Sequence, residues 1–307
     1  MIRLTRRLLT LLIAASALAL VAWPMAASAS TAPGLGKAAS YAVLAGTTVT
    51  NTGNTVLKGD LGISPGSACT GLPAPCTGGG PGTVSGTIHA GDVQALQAQN
   101  DLIAAYGVAA SSPSNFNETG KDLGNQTLTP GTYTFSSSAQ LTGTVTLNGN
   151  GVYIFQIGST LITAPGAAVH LSGDAQPCNV FWQVGSSATL DTTTTFVGTI
   201  MALTDISLKN GASIKGRALA RNGQVTLINN LIEAPTECGE TSVVGPTASP
   251  TASPTVATTA TPTATLAPVL ATTGGGPQNG VPWILLLFAG YCIAGFGLIV
   301  RERGRRA

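Results

Sequence analysis

Charge is scarce in this 307-residue sequence: Asp, Glu, Lys and Arg together make up 8% of it, beside two histidines and five cysteines. Between Ser30 and Thr273, seven Lys/Arg stand against eleven Asp/Glu, a net of −4, and they form no basic stripe. A chain without such a stripe has little to hold phosphates, so nucleic acid is not an expected partner. His89 and His170 stand alone, and no cysteine spacing resembles a zinc site, so neither metal nor cofactor is expected. Phosphate loops and nucleophile elbows are absent as well. Sugar cleavage would need a carboxylate pair, or a carboxylate with a basic partner, in a groove. Asp174, Asp191 and Asp205 fall instead in loops between strands, where solvated turn residues are the simpler reading. No catalysis is expected. Aromatics make up only 5%. Tyr133, Phe135, Tyr153, Phe155 and Trp182 take inward positions of their strands, and Phe181 alone among these segments reads as outward.

The two ends read differently from the middle. Residues 1–29 form a signal peptide, with Arg3, Arg6 and Arg7, an apolar run from Leu8 to Ala22, and the small residues Ala27-Ser28-Ala29 at the cleavage site. At the other end, residues 281–300 carry no charge and are long enough to cross a bilayer as a helix. Arg301, Arg303, Arg305 and Arg306 follow, in a basic tail over 301–307 that belongs on the cytoplasmic side. Just ahead of the span stands Leu270-Ala271-Thr272-Thr273-Gly274. Motif, span and tail in this order resemble the cell-wall sorting signals of Gram-positive bacteria, with Ala271 where the usual motif has proline. That resemblance implies a sortase and peptidoglycan as partners, with cleavage between Thr273 and Gly274. The alternative is a plain membrane anchor. Residues 240–269, rich in Thr, Ala, Pro and Ser, cannot bury enough apolar surface to fold and read as an extended stalk open to O-glycosylation. The expected location is extracellular, anchored to wall or membrane. Export favours disulfides. Cys69 and Cys76 bracket a short loop, Cys178 and Cys238 form a second candidate pair, and Cys292 in the span is left over.

Residues 30–239 make one folded domain. Asp92 is a candidate N-cap for a helix whose stripe of Val93, Leu96, Leu102, Ile103 and Tyr106 reads as core contact. Nearly all the rest reads as short strands divided by Gly, Asn, Pro and Ser. Two patterns recur among them. The first is apolar-x-Gly-x-apolar, as in Leu57-Lys58-Gly59-Asp60-Leu61, Val84-Ser85-Gly86-Thr87-Ile88, Phe196-Val197-Gly198-Thr199-Ile200 and Ile214-Lys215-Gly216-Arg217-Ala218. Alternation places its apolar residues and glycine on one side. The second sets one outward residue between two inward ones: Ala188-Thr189-Leu190, Ile206-Ser207-Leu208 and Val225-Thr226-Leu227. Its copies begin 18 and then 19 residues apart, a suitable length for one turn of a three-sided β-solenoid. The helix interrupts the first pattern, so the solenoid is expected to be discontinuous.

Five motifs in order give the domain a family resemblance. They are Val49-Thr50-Asn51-Thr52-Gly53, the segment Gly59 to Gly66, Pro130-Gly131-Thr132-Tyr133-Thr134-Phe135, Ile154-Phe155-Gln156-Ile157-Gly158 and Val180-Phe181-Trp182-Gln183-Val184-Gly185. They resemble the ice-binding-like (DUF3494) domain of microbial antifreeze proteins over about Ala39 to Pro235. The resemblance implies an all-β-dominated, discontinuous right-handed β-solenoid, triangular in section, with one long helix alongside. It also implies adsorption to ice and its ordered water.

The chemistry such adsorption needs is a flat, stiff, nearly uncharged surface with hydroxyls and methyls at regular intervals. Threonine supplies one of each on a side chain that is stiff at χ1. The outward column Thr189, Ser207, Thr226 has this character, and Thr144 and Thr146, alternating with inward Val145 and Leu147, are expected to extend it. The glycine-pattern face exposes Lys58, Asp60, Lys215 and Arg217 and is the poorer candidate. Threonine is also common in any half-buried strand. A wall-anchored adhesin or spacer that binds a glycan or a neighbouring cell is therefore the alternative function.

Overall fold

One outward residue between two inward apolar residues is the unit from which the domain is wound. In the computed structural model, which describes residues 30–236, Ala188 and Leu190, Ile206 and Leu208, and Val225 and Leu227 are all buried. Strands this short cannot close a core alone, but stacking them does. They pair in parallel, residue over residue, in three ladders. The first runs in the order Ala139–Leu141, Leu161–Thr163, Ala188–Leu190, Ile206–Leu208, Val225–Ile228, Thr48–Thr52 and Ala68–Thr70. The second joins Thr127–Leu128, Thr144–Asn148 and Ala168–Ser172 to the leading halves of two eight-residue strands, Thr195–Ala202 and Ser213–Ala220. It continues through Leu231–Glu233, Val56–Lys58 and Thr83–Val84. The third joins Phe116–Asn117, Gly131–Phe135, Tyr153–Ile157 and Val180–Val184 to the trailing halves of the same two strands. It ends through Tyr41–Ala45, Asp60–Ile63 and Ile88–Ala90.

This is a β-solenoid, and it is discontinuous. Its first coils stack beneath its last: Val43 lies opposite Ala218, and Val49 opposite Val225. The helix Val93–Ser111 carries the chain back to the far end, from which it winds down again. Its 19 residues rise about 28 Å, and six strand spacings of about 4.8 Å, the height of the seven-stranded ladder, come to nearly the same. Asp92 caps the helix, its side chain accepting from the Ala95 amide at 2.9 Å.

The helix docks only in part by the stripe the apolar pattern suggests. Val93, Leu96 and Ile103 are 70%, 50% and 47% exposed. Leu102 and Tyr106 of that stripe are buried as expected, together with Ala95, Ala98, Gln99, Ala105 and Ala109. Four alanines at helical spacing let the backbone lie close to the sheet, where longer side chains would hold it off. The outward residues beneath are Leu44, Ile154, Phe181, Met201 and Leu219, which form one apolar cluster with Leu102 and Tyr106. Phe181 does point outward, but under the helix and only 2% exposed. The Tyr106 hydroxyl donates to the Val184 carbonyl at 3.2 Å and accepts from the Gln183 amide at 2.7 Å.

The glycine pattern is a corner, and not one flat strand. Gly59, Gly198 and Gly216 have φ of +137°, +110° and +156°, and a Cβ on Gly198 would stand 2.8 Å from the Val180 carbonyl oxygen. The chain turns at each glycine from the second ladder to the third. Lys58 and Lys215, before it, are exposed on the second. Asp60 and Arg217, after it, belong to the third. Arg217 was expected to be exposed but is 3% accessible. Its guanidinium donates to the carbonyls of Ala39 at 2.8 Å and Pro235 at 3.1 Å, so it ties both ends of the described chain to one coil. Burial pulls its pKa down to about 10.

Inside, the five inward aromatics are all buried. Tyr133, Phe155 and Trp182 stack rung on rung, Phe155 and Trp182 with ring centroids 3.8 Å apart, and the Trp182 indole donates to the Val197 carbonyl at 3.0 Å. Cys69 and Cys76 form the expected disulfide. Cys178 is also disulfide-bonded. Its expected partner Cys238 lies outside the described residues, as do the signal peptide, stalk, sorting motif, span, tail and Cys292. Among the described residues no helix is long and apolar enough to cross a membrane.

Candidate functional site

The first ladder is the one whose outward side is neither charged along its centre nor covered by the helix. Register places Gln140, Ile162, Thr189, Ser207, Thr226, Thr50 and Thr70 in one column across seven strands. The three residues expected to align, Thr189, Ser207 and Thr226, stand on consecutive rungs. Thr144 and Thr146 do not extend them. These two pair with Ala168 and His170 on the second ladder, around the corner. Alternation separates inward from outward residues but does not say which of three faces an outward residue occupies. Thr50 and Thr70 take the places assigned to them. Sequence spacing could not reveal this, because Thr50 meets Thr226 only after the helix has returned the chain. Gln140 and Ile162 escape notice for a different reason: the steps from 140 to 162 to 189 are 22 and 27 residues, too uneven to show a period.

What distinguishes the column is what its side chains leave undone. Among the described residues, the hydroxyls of Thr50, Thr70, Thr189, Ser207 and Thr226 take no protein hydrogen-bond partner. Other hydroxyls nearby do: Ser138 bonds Thr160 and Ser187 bonds Thr204, each at 2.7 Å, and buried Thr163 bonds buried Thr194 at 2.8 Å. The column therefore presents five hydroxyls to water on a backbone fixed by parallel pairing. The run Thr192 to Thr195 contributes nothing to it, since Thr194 is fully buried and Thr195 belongs to the second ladder.

Charge is kept to the border of this face, and one pair there is neutralised. Asp191 and Lys209 pair at 3.0 Å where the chain leaves this face. The Thr192 amide and the Lys209 ammonium hold the Asp191 carboxyl below its ordinary value. Asp205 accepts from the Gln224 amide at 2.9 Å. Of the remaining carboxylate and histidine candidates, Asp174 and His89 are in structural settings. Asp174 sits in a left-handed turn at φ 65°, and His89 bonds the capping Asp92 at 2.7 Å. His170 is exposed on the second ladder. Among the described residues no group of three or more His, Cys, Asp or Glu is placed to hold a metal.

The architecture is that of a parallel β-solenoid with a helix closing one side and a bare hydroxyl column on another. Residues 43–233 match the ice-binding-like family, and the chain belongs to that family. Among relatives, an ice-binding protein of Nostoc sp. (strain HG1) is 52% identical over 204 residues, 64% of this chain and 72% of that protein. An ice-binding protein of Flavobacterium frigoris (strain PS1) is 33% identical, over 66% of this chain and 76% of its own length. Of solved structures, an ice-binding protein from an Antarctic biological consortium matches with a TM-score of 0.64 at 43% identity, covering 69% of this chain and 96% of its own. One from the Antarctic ascomycete Antarctomyces psychrotrophicus matches with a TM-score of 0.63 at 34% identity, covering 67% and 100%.

Proposed function

We propose that the domain adsorbs to ice through the outward side of the seven-stranded ladder, with Thr50, Thr70, Thr189, Ser207 and Thr226 at the contact. The observation that carries this is the in-register column of hydroxyls without protein partners. Rungs about 4.8 Å apart set the interval at which methyls and hydroxyls meet the water layer. The β-branched threonines hold their χ1, so little rotamer freedom is lost on contact. An uncharged column also leaves no ion whose hydration shell must be stripped or reordered. Adsorption of this kind calls on no catalytic group, and the relatives described as ice-binding proteins support it. The test is Ser207→Tyr at the centre of the column, with Asn100→Tyr on the exposed side of the helix as control. Inhibition of ice recrystallisation should fall for the first and persist for the second, with both folded by circular dichroism. Equal activity in all three proteins would reject this face. No activity in the unmodified protein would favour an adhesin that binds a glycan or a neighbouring cell.

We further propose that the domain is displayed outside the cell and joined to the wall through Thr273. What supports this is the order of motif, apolar span and arginine tail in residues 270–307. Boiling cells in detergent should leave the protein with the wall fraction, and Thr273→Ala should release it to the membranes. Full extraction of the unmodified protein would leave a plain anchor.

A further inference from the structure

One outward row beneath the helix changes character at its lower end. It passes through Met201, Leu219 and Leu44, and then reaches Gly62 and His89. Gly62 has no side chain to fill the space under the first helical turns, and the Tyr41 ring lies across it: a Cβ on Gly62 would stand 2.5 Å from that ring. What remains is a cleft of about 370 Å³ whose lining includes Lys37, Tyr41, Asp60, His89, Gln94 and Gln97. We propose that this cleft binds a free α-amino acid, with Asp60 and the Tyr41 hydroxyl on its ammonium and Lys37 on its carboxylate.

Two opposite charges line one recess without joining. Lys58, Lys121 and Lys209 each pair with a carboxylate, at 3.2, 3.1 and 3.0 Å. Lys37 and Asp60 form no ion pair with each other or, among the described residues, with any other side chain. The Thr87 amide orients Asp60 by donating to one carboxylate oxygen at 2.8 Å, and the other oxygen takes no protein bond among the described residues. Tyr41 is only 3% exposed, yet its hydroxyl also has no protein partner among them. Burial, then the carboxylates of Asp60 and Asp92, push its pKa up to about 12. The hydroxyl therefore keeps its proton in a negative field, a setting that favours an ammonium. His89 bonds Asp92 at 2.7 Å and lies 5.8 Å from Tyr41 between ring centroids, which fixes this wall. At the opposite end Asp101 accepts from the Lys37 amide at 2.7 Å and from the Gln97 side chain at 2.9 Å, so the backbone of Lys37 is tied to the helix. A charge withdrawn from water needs a partner. A neutral sugar would answer neither charge and a simple ion only one, whereas a small zwitterion answers both.

The experiment is isothermal titration calorimetry of the full chain with alanine, which should bind saturably with a Kd of about 1 mM or below. Lys37→Met and Asp60→Asn should each weaken binding about ten- to a hundredfold, the worth of one charge-assisted hydrogen bond. Tyr41→Phe should weaken it less. Lys37 is exposed, so its replacement leaves the fold intact, and asparagine at position 60 keeps an oxygen for the Thr87 amide. Circular dichroism checks both. Lys215→Met, outside the cleft, should bind alanine like the unmodified protein. Ser207→Tyr should bind it equally well while losing ice activity, so the result does not depend on the ice-adsorption reading. Acetate and methylammonium, with one charge each, should bind far more weakly than alanine. Equal binding by either would reduce the cleft to a single-charge site and overturn the proposal. Glucose displacing alanine would make it a sugar cleft, with the same consequence. No saturable heat at millimolar alanine, or binding that survives both Lys37→Met and Asp60→Asn, would also overturn it.

Discussion

Two sides of the same solenoid meet opposite fates. Both are parallel ladders with apolar residues turned inward, and the inward residues alone do not tell them apart. On the third ladder the outward residues include Ile154 and Phe181 in one row and Met201, Leu219 and Leu44 in the next, and a helix covers them. On the first the outward column is mostly Thr and Ser, and it stays bare. The core makes the scaffold; the outward residues of each coil assign each face its neighbour. Apolar surface recruits the helix because burial stabilises by roughly 25 cal/mol per Å² of apolar area. A threonine column gains far less from being covered, and its hydroxyls are already satisfied by water.

The sharpest way to test that contrast is to truncate one side chain on each face. Phe181→Ala should cost about 3–5 kcal/mol, since it opens a cavity between helix and sheet. Thr226→Ala should change stability by no more than about 0.5 kcal/mol, as expected of an outward side chain with no protein partner. Urea denaturation measures both. Similar losses would mean that the helix is not sealing its face, and the comparison would collapse.

Glycine separates corner from helix in the same manner. Gly198→Ala should destabilise by about 1–3 kcal/mol, because its φ of +110° is closed to other residues and the new methyl would press on the Val180 carbonyl. Gly107→Ala on the open side of the helix should stabilise by up to about 1 kcal/mol, since a Cβ there meets nothing within 4 Å and alanine favours the helix. One substitution type, two signs: a thermal melt that shows the same sign for both would refute the corner argument.

Which parts of this were legible in the sequence follows from how far each signal reaches along the chain. Thr189, Ser207 and Thr226 lie within consecutive coils, so a spacing of 18 and 19 residues exposes them. Asp92 caps its own helix and is equally local. Thr50 and Thr70 join the column through a return of the chain over more than a hundred residues, which no period records. The helix misleads only in part: pattern reading finds Leu102 and Tyr106, but it also weights Val93, Leu96 and Ile103, where a helix pressed on a flat sheet buries alanine. Arg217 misleads because alternation marks it as outward. Outward on the third ladder means under other chain, and the residue is held there by the carbonyls of Ala39 and Pro235.

The smallest effect concerns the border of the bare face. Asp191 takes a hydrogen bond from the Thr192 amide and pairs with Lys209 at 3.0 Å, and both hold its carboxyl below the ordinary value. A carboxyl depressed in the folded state contributes stability above its unfolded pKa, near 3.9. That contribution is lost as pH falls through the lower folded value. No change is therefore expected between neutrality and about pH 5, and a slight loss only in acid well below it. Lys209→Met should move the NMR titration of Asp191 upward but leave it still depressed, because the Thr192 amide remains. If the titration did not move, the ion pair would not be forming in solution. The border of the face would then carry two independently hydrated charges and would be wetter than the geometry implies.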